Sequence, residues 1–459
     1  MNIKQKSLLF FLNLILSHCL QGQISGGGEA NPDLTTHKDA IQEFQDLRFG
    51  MFIHWGPVTL RGTEIGWSRG REISAMDYDN LYKEFNPVLF NPKEWVRTAK
   101  EAGMKYIVFT TKHHDGFSLW DTKQSEYKIT NSPYGKDVVK QLAAECKRQG
   151  ILFGAYYSIA DWHYPDNPMI HPIDNSNSGS KDISDPSTKA KMDSYIVYMK
   201  NQLKELINNY DPSIIWFDGE WEWVWTHEMG MDLYKYVRSL KDDIIINNRV
   251  DKGRKGMEDV TIDKKFAGDF ATPEQQVGKF DNINAWETCM TIAQQWAWKP
   301  NDILKSKKEC IETLLQTVGG DGNLLFNIGP MLDGRIEQRQ KDRLKDIGDW
   351  LKSNGEAIYG TRGGPYKPLR NMVSTHKENK IYLHLFEDYK GPLHLPFPKT
   401  VKINKAFVLK DNLPLQIARD GSSLTIELPE AIPSFEPIVV VLELKRTVPE
   451  MDVFTKLKN

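Results

Sequence analysis

Ser213-Ile214-Ile215-Trp216-Phe217-Asp218-Gly219-Glu220 is the stretch on which the fold turns. An apolar run enters a carboxylate, a second carboxylate follows two residues on, and Trp221, Trp223 and Trp225 come after it. A short apolar run is what a parallel strand buried on both faces looks like. Asp-Gly is also ordinary turn chemistry, so the stretch alone allows a plain strand end. In a β/α barrel, however, the C-terminal end of a strand is where catalytic groups stand. A carboxylate walled by indoles suits a sugar, whose apolar face stacks on rings while its hydroxyls seek charged acceptors.

Working outward, the same rhythm of strand then helix repeats on both sides. Strand candidates are Arg48–Gly56, Tyr106–His114, Leu152–Ser158, Ser213–Gly219, Asp243–Arg249, Gly268–Glu274, Ala285–Thr291 and Asn323–Gly329. Helical periodicity with a polar face fills Pro92–Ala102, Val138–Gln149, Thr188–Asn209, Met231–Lys241, Asp302–Val318 and Glu337–Ser353. Alternation of this kind predicts a parallel sheet, and eight units predict a (β/α)8-like TIM barrel. Gln275–Asn284 is too short for a helix, so one unit is expected to be degenerate. Pro165–Thr188, rich in Asp, Ser and Pro, reads as a long loop after the third strand. Past Gly355 the helical period stops. Lys380–Phe386, Val401–Leu409, Leu415–Ala418, Ser423–Leu428 and Ile438–Leu444 are short alternating runs punctuated by Pro and Gly. They predict an antiparallel β-sandwich, used for packing. The expected division is a leader over 1–22, a catalytic barrel over 23–356 and the sandwich over 357–459.

Composition agrees with this division and narrows the function. A chain of 459 residues with 40% hydrophobic and 26% charged residues has material for two or three domains and a large core. A net charge of −2 gives no footprint for nucleic acid or anionic lipid. Lys4 and Lys6 precede an apolar stretch, Leu8 to Leu16, too short to span a bilayer. This reads as a secretory signal, hence a periplasmic or extracellular protein; Cys19 gives a lipid anchor as the lesser option, because His18 is a poor match to a lipobox. No later segment is long and apolar enough for a membrane span. Of the four cysteines, Cys146, Cys289 and Cys310 would survive processing. An odd, widely spaced set predicts buried thiols, with no disulfide scaffold and no zinc site.

The polar residues gather at the strand ends: His54, then His113-His114-Asp115, then Tyr156-Tyr157-Ser158, Asp218, Asn247-Asn248-Arg249, Glu274 and Trp286-Glu287. Packing alone does not explain that many polar groups at one barrel mouth, because buried polar groups need partners. Two chemistries use such a set. In metal-assisted hydrolysis, His54, His113, His114 and Asp218 would ligate zinc. Against it, the first strand has no HxH, and adjacent His113 and His114 would point to opposite faces of a regular strand. In glycoside hydrolysis, one carboxylate attacks and another protonates the leaving oxygen, with no metal and no cofactor.

The motifs resemble those of family 29 α-L-fucosidases. Arg48-Phe49-Gly50-Met51-Phe52-Ile53-His54-Trp55-Gly56 looks like that family's opening strand. Thr111-Lys112-His113-His114-Asp115-Gly116-Phe117, Tyr156-Tyr157-Ser158, Trp216-Phe217-Asp218-Gly219 and Gly268-Asp269-Phe270 follow in family order. So do Thr272-Pro273-Glu274-Gln275, Trp286-Glu287, Gly322-Asn323-Leu324-Leu325 and Asn327-Ile328-Gly329-Pro330. The resemblance implies a retaining mechanism, a barrel with a C-terminal β-sandwich, and a fucosylated glycan as substrate. It makes Asp218 the nucleophile. His54, His113, His114 and one tyrosine, Tyr157 in preference to Tyr156, would hold fucose hydroxyls. Arg249 would support the nucleophile, and Trp216 would wall the site. Trp67 would match a contact made by a Glu-Trp pair, although Glu64-Ile65-Gly66-Trp67 stands here in place of adjacent residues.

For the acid, Glu274 and Glu287 compete. Glu287 sits in an apolar strand and suits a buried orienting role. Glu274 follows Pro273 into a loop, where it can reach a leaving oxygen, and is preferred. Glu220 is too near Asp218 along the chain and reads as rim. A metal-dependent barrel amidohydrolase, an exo-glycosidase for another sugar and a non-catalytic fucose-binding relative are the other readings.

Overall fold

The computed structural model describes residues 38–165, 168–169, 182–386, 389, 391–429, 436–448 and 454. The expected leader, Cys19 and most of the 165–188 loop lie outside the described residues.

Strands β1 (Phe49–Ile53), β2 (Tyr106–Lys112), β3 (Leu152–Ser158), β4 (Ile214–Asp218), β5 (Ile245–Ile246), β6 (Glu287–Thr291) and β7 (Asn323–Ile328) form one parallel sheet in the order β5-β4-β3-β2-β1-β7-β6. Every residue of β1, β2, β4, β6 and β7 is buried, which is why β1, β4 and most of β2 and β7 read as apolar runs. Helices α1 (Lys38–Leu47), α2 (Ala75–Asn80), α3 (Pro92–Glu101), α4 (Val138–Gln149), α5 (Pro186–Tyr210), α6 (His227–Leu240), α7 (Lys307–Gly319) and α8 (Gln338–Asn354) accompany them. Their starts follow local chemistry. Asn91, Asp137 and Asp185 accept N–H bonds at three N-caps, Pro92 and Pro186 begin two helices, and Ser306 with Glu309 closes a capping box.

The sixth expected strand is a correction. Gly268–Glu274 forms only isolated bridges, Phe270 to Asn247, Ala271 to Trp286 and Glu274 to Cys289. It still fills the gap between β5 and β6, so the barrel is (β/α)8-like with seven regular strands and one irregular one. The cause is chemical. The Asp269 carboxylate accepts the Ile246 N–H at 2.7 Å, a bond a ladder carbonyl would otherwise take, and Pro273 has no N–H to offer.

The C-terminal strands are β8 (Arg362–Gly363), β9 (Met372–Lys377), β10 (Lys380–Leu385), β11 (Leu393–Pro396), β12 (Ile403–Val408), β13 (Ile417–Asp420), β14 (Ser423–Ile426) and β15 (Ile438–Leu444). They make a five-stranded antiparallel sheet, β12-β15-β10-β9-β8, and a three-stranded one, β11-β14-β13. The larger sheet is apolar on both faces. Ile381, Leu383, Val440 and Leu442 share the sandwich core, while Tyr382, Val439 and Val441 join the core of the barrel. Strict alternation along β10 and β15 thus serves two cores at once.

Two glycines shape the barrel centre. Gly50 lies against the Tyr106 ring, and a Cβ there would stand 2.4 Å from the ring carbon that bears the hydroxyl. Gly219 has φ +99° and backs onto Ala160, so the chain can turn sharply just after Asp218.

Candidate active site

The strand ends open into a cavity of about 460 Å³. Its inner wall comes from the barrel: Phe52, His54, His113, His114, Tyr156, Trp216, Asp218 and Cys289. Its outer wall comes from loops: Trp67, Trp221, Arg249, Arg254, Met257, Glu274 and Trp296.

Asp218 is 8% exposed. One carboxylate oxygen accepts Arg249 Nη1 at 2.9 Å, and the other accepts the Tyr156 hydroxyl at 3.0 Å. His114 Nε2 stands 3.6 Å from that second oxygen. Burial works to raise the pKa, but the charges of Arg249 and His114 outweigh it, so the carboxyl is held below its usual range. Burial and the charge of Asp218 push Tyr156 well up, which keeps its hydroxyl a donor.

Arg249 follows β5 and binds both candidate catalytic carboxylates. Its Nη2 donates to Glu274 Oε2 at 2.8 Å, its Nε to Thr272 Oγ1 at 2.8 Å, and its guanidinium lies 4.6 Å from the centre of the Trp216 ring. Thr272 is fixed in turn by Asn248 at 2.9 Å. A planar fork with several fixed partners can hold two carboxylates in one geometry, as a lysine cannot.

His54 and His113 are neutral hydrogen-bonding tools. Asn327 Nδ2 donates to the Trp296 carbonyl at 2.8 Å, so its Oδ1 is the atom that accepts His54 Nδ1–H at 2.7 Å. His54 Nε2 is therefore left as an acceptor, and burial lowers this imidazole to about 3. Ser158 donates to the Ala160 carbonyl at 2.7 Å, so it accepts from His114 Nδ1 at 2.6 Å. His113 stacks on Tyr156, with ring centres 5.4 Å apart and planes 6° from parallel, and burial lowers it well below the usual histidine range.

Three expectations need correction. Both His113 and His114 face the cavity, with ring centres 4.2 Å apart. Regular pairing ends at Lys112, after an irregularity between Thr110 and Lys112, so strand alternation no longer governs the pair. Tyr157 points away: its hydroxyl donates to Gln202 of α5 at 2.7 Å, and Lys112 covers its ring. Tyr156 takes the place expected of it, because Tyr156 is in register with Trp216 and shares its inward face. Glu287 is 0% exposed and lies outside the cavity. It accepts the Tyr106 hydroxyl and, at 2.9 Å, Trp216 Nε1, and burial raises it to about 7. It orients Trp216 from beneath.

The structure brings together Asp218, Glu274, His54, Trp67, His113, His114, Trp216 and Arg249. Trp67 stacks with Trp221, with centres 6.3 Å apart. Glu64 turns elsewhere: its carboxylate accepts the N–H groups of Trp296 and Ala297 at 2.9 and 3.1 Å. It thereby anchors Trp296, whose ring packs 4.7 Å from that of His54. Trp296, Arg254 and Met257 also line the cavity, and sequence patterning does not point to them. All three sit on loops without periodicity; the Gln294-Gln295-Trp296-Ala297-Trp298 run was the one available signal. Among the described residues, no three His, Cys, Asp or Glu side chains converge as metal ligands would.

This arrangement can deliver an ionised nucleophile, a second carboxylate within reach of the same guanidinium, and donors and acceptors for several hydroxyls. Several known proteins resemble this chain. The model of the alpha-L-fucosidase family matches residues 19–356. The human tissue alpha-L-fucosidase is 30% identical over 88% of this chain and 88% of its own length. An alpha-L-fucosidase from Bacteroides thetaiotaomicron, solved as a covalent intermediate trapped with 2-fluoro-fucosyl fluoride, superposes with a TM-score of 0.80 at 27% identity, covering 89% of this chain and 97% of that one. Isoenzyme 1 of the Paenibacillus thiaminolyticus alpha-L-fucosidase gives a TM-score of 0.76 at 32% identity, covering 89% and 99%.

Proposed function

The chain belongs to the alpha-L-fucosidase family, and we propose that it removes terminal α-L-fucose from fucosylated glycans with retention, through Asp218 and Glu274. The Asp218 carboxylate attacks the anomeric carbon as the bond to the leaving oxygen breaks, and the Glu274 carboxyl gives that oxygen its proton. The product is a fucosyl ester of Asp218. Water then attacks the same carbon, its proton passes to Glu274, and Asp218 is released as the carboxylate. Fucose hydroxyls are held by His54, His113, His114 and Tyr156, with Trp67, Trp216 and Trp296 as walls. No step calls on a metal or cofactor. The leader over residues 1–22 supports an exported, periplasmic or extracellular, enzyme.

The observation that carries this reading is the Arg249 clamp, which joins an ionised Asp218 to Glu274 at the barrel mouth. Asp218→Ala tests it. Turnover of an aryl fucoside should vanish, and azide should restore it by forming a fucosyl azide of inverted configuration. Undiminished activity in Asp218→Ala would refute the assignment.

A further inference from the structure

An acid that protonates the leaving oxygen stands at the cleaved bond, so the groups on its solvent side face whatever is leaving. The side chains of Asp218 and Glu274 are 12% and 19% exposed and the whole Met257 residue is 46% exposed, which marks that direction. The Glu274 N–H donates to the Met257 carbonyl at 2.8 Å, so acid and loop are fixed to each other. Lys252 Nζ ties the same loop to the carbonyls of Glu220 and Glu222.

Two features of this outer wall are unused by the chemistry. Met257 and Trp221, the latter 38% exposed, are large apolar side chains left in water at the rim of the cavity. Covering them is favourable, and a sugar ring has an apolar face of suitable shape. Arg254 is under-paired. Its contacts to Glu220 Oε1 and Glu274 Oε2 are both 3.4 Å, its Nη2 also meets Met257 Sδ at 3.3 Å, and its buried Nε has no hydrogen-bond partner. A guanidinium held this loosely has donor capacity to spare. Glu220 and Glu274 already stand beside it, so hydroxyls, which can accept from the guanidinium and donate to those oxygens, suit this spot better than an anion.

Resting on the fucosidase reading, we infer that Arg254, Met257 and Trp221 form a leaving-group subsite for a neutral pyranose ring. The ring lays its apolar face on Met257 and Trp221 and turns hydroxyls toward Arg254. The enzyme is therefore built for fucose linked to another sugar.

The test uses the full chain and two kinds of substrate. α-L-Fucosyl fluoride has a single-atom leaving group and leaves the subsite empty; neutral α1,2-, α1,3- and α1,6-linked fucosyl oligosaccharides fill it. The readout is the ratio of kcat/KM for the best oligosaccharide to that for the fluoride. Met257→Ala should lower this ratio at least fivefold, Met257→Leu should return it to within twofold of the wild type, and Arg254→Lys should lower it. A ratio within twofold of the wild type in Met257→Ala overturns the subsite. So does a wild type that cleaves the fluoride but no oligosaccharide, which leaves the fucosidase reading intact. A wild type that cleaves neither overturns both.

Discussion

Two buried carboxylates lie near Trp216, one at the end of β4 and one deeper in the barrel at the start of β6, and they have opposite characters. The upper one, Asp218, is joined to Arg249 and is held as an anion. The lower one, Glu287, meets only neutral donors, Tyr106 and Trp216 itself, and burial keeps its proton on up to about pH 7. Both end or begin apolar strands, and both are flanked by aromatics. The difference is the partner. A guanidinium holds one ionised, as the proposed nucleophile must be, and a phenol and an indole hold the other as a support.

The strongest attack on this comparison is to weaken the guanidinium. Arg249→Lys keeps a charge but cannot hold Asp218, Glu274 and Thr272 together. It should cost roughly 10²- to 10³-fold in kcat/KM on an aryl fucoside, with Asp218 ionising at higher pH in the rate profile. Near wild-type kcat/KM would show that the clamp is not what distinguishes the upper layer.

Next in size is the pair of neighbouring tyrosines. Tyr156→Phe removes a donor to an ionised carboxylate and should lower kcat/KM about tenfold or more. Tyr157→Phe should act on stability instead, by about 1–3 kcal/mol in denaturant unfolding, because Gln202 loses a buried partner. The reverse pattern would put the inward face of β3 one residue out.

Glu287→Gln sharpens the lower half. The Glu287 carboxyl ionises near 4.5 in the unfolded chain and near 7 in the fold. Its stabilising contribution is complete below pH 4.5 and is lost as pH rises through 7, by about 3 kcal/mol at most. The variant should therefore show a flatter Tm profile between pH 4.5 and 7 than the wild type. Parallel profiles would mean that Glu287 does not titrate there.

The smallest effect is expected at Glu64. Glu64→Gln places an amide NH2 against a backbone N–H and loosens Trp296. The inhibition constant of L-fucose should rise a few-fold, and much less in a Trp296→Ala background, since the two act through one contact. Equal increases in both backgrounds would separate Glu64 from Trp296.

How far this was readable beforehand follows from the same physics. Parallel strands covered on both faces leave apolar runs, so β1 to β4 and β7 were legible, and the polar residues at their ends followed. The 268–274 segment was not, because a side chain, Asp269, does the work of a ladder carbonyl. Choosing between Tyr156 and Tyr157 needs the phase of β3 against β4. Pairing of Ser158 with Asp218 and of Tyr156 with Trp216 supplies it, and that register is a fact of the fold. His113 and His114 were expected to diverge because alternation was applied past the point where the strand ends. Trp296, Arg254 and Met257 come from loops, where no period points to the cavity.

Asp218 is the proposed site of the covalent bond to the sugar. This is tested most directly by treating the protein with 2-fluoro-fucosyl fluoride, digesting it and sequencing the labelled peptide by mass spectrometry. One fluorofucosyl group is expected, carried by Asp218 in the peptide that contains Trp216-Phe217-Asp218. A label on Glu274, Glu220 or any other residue would contradict it.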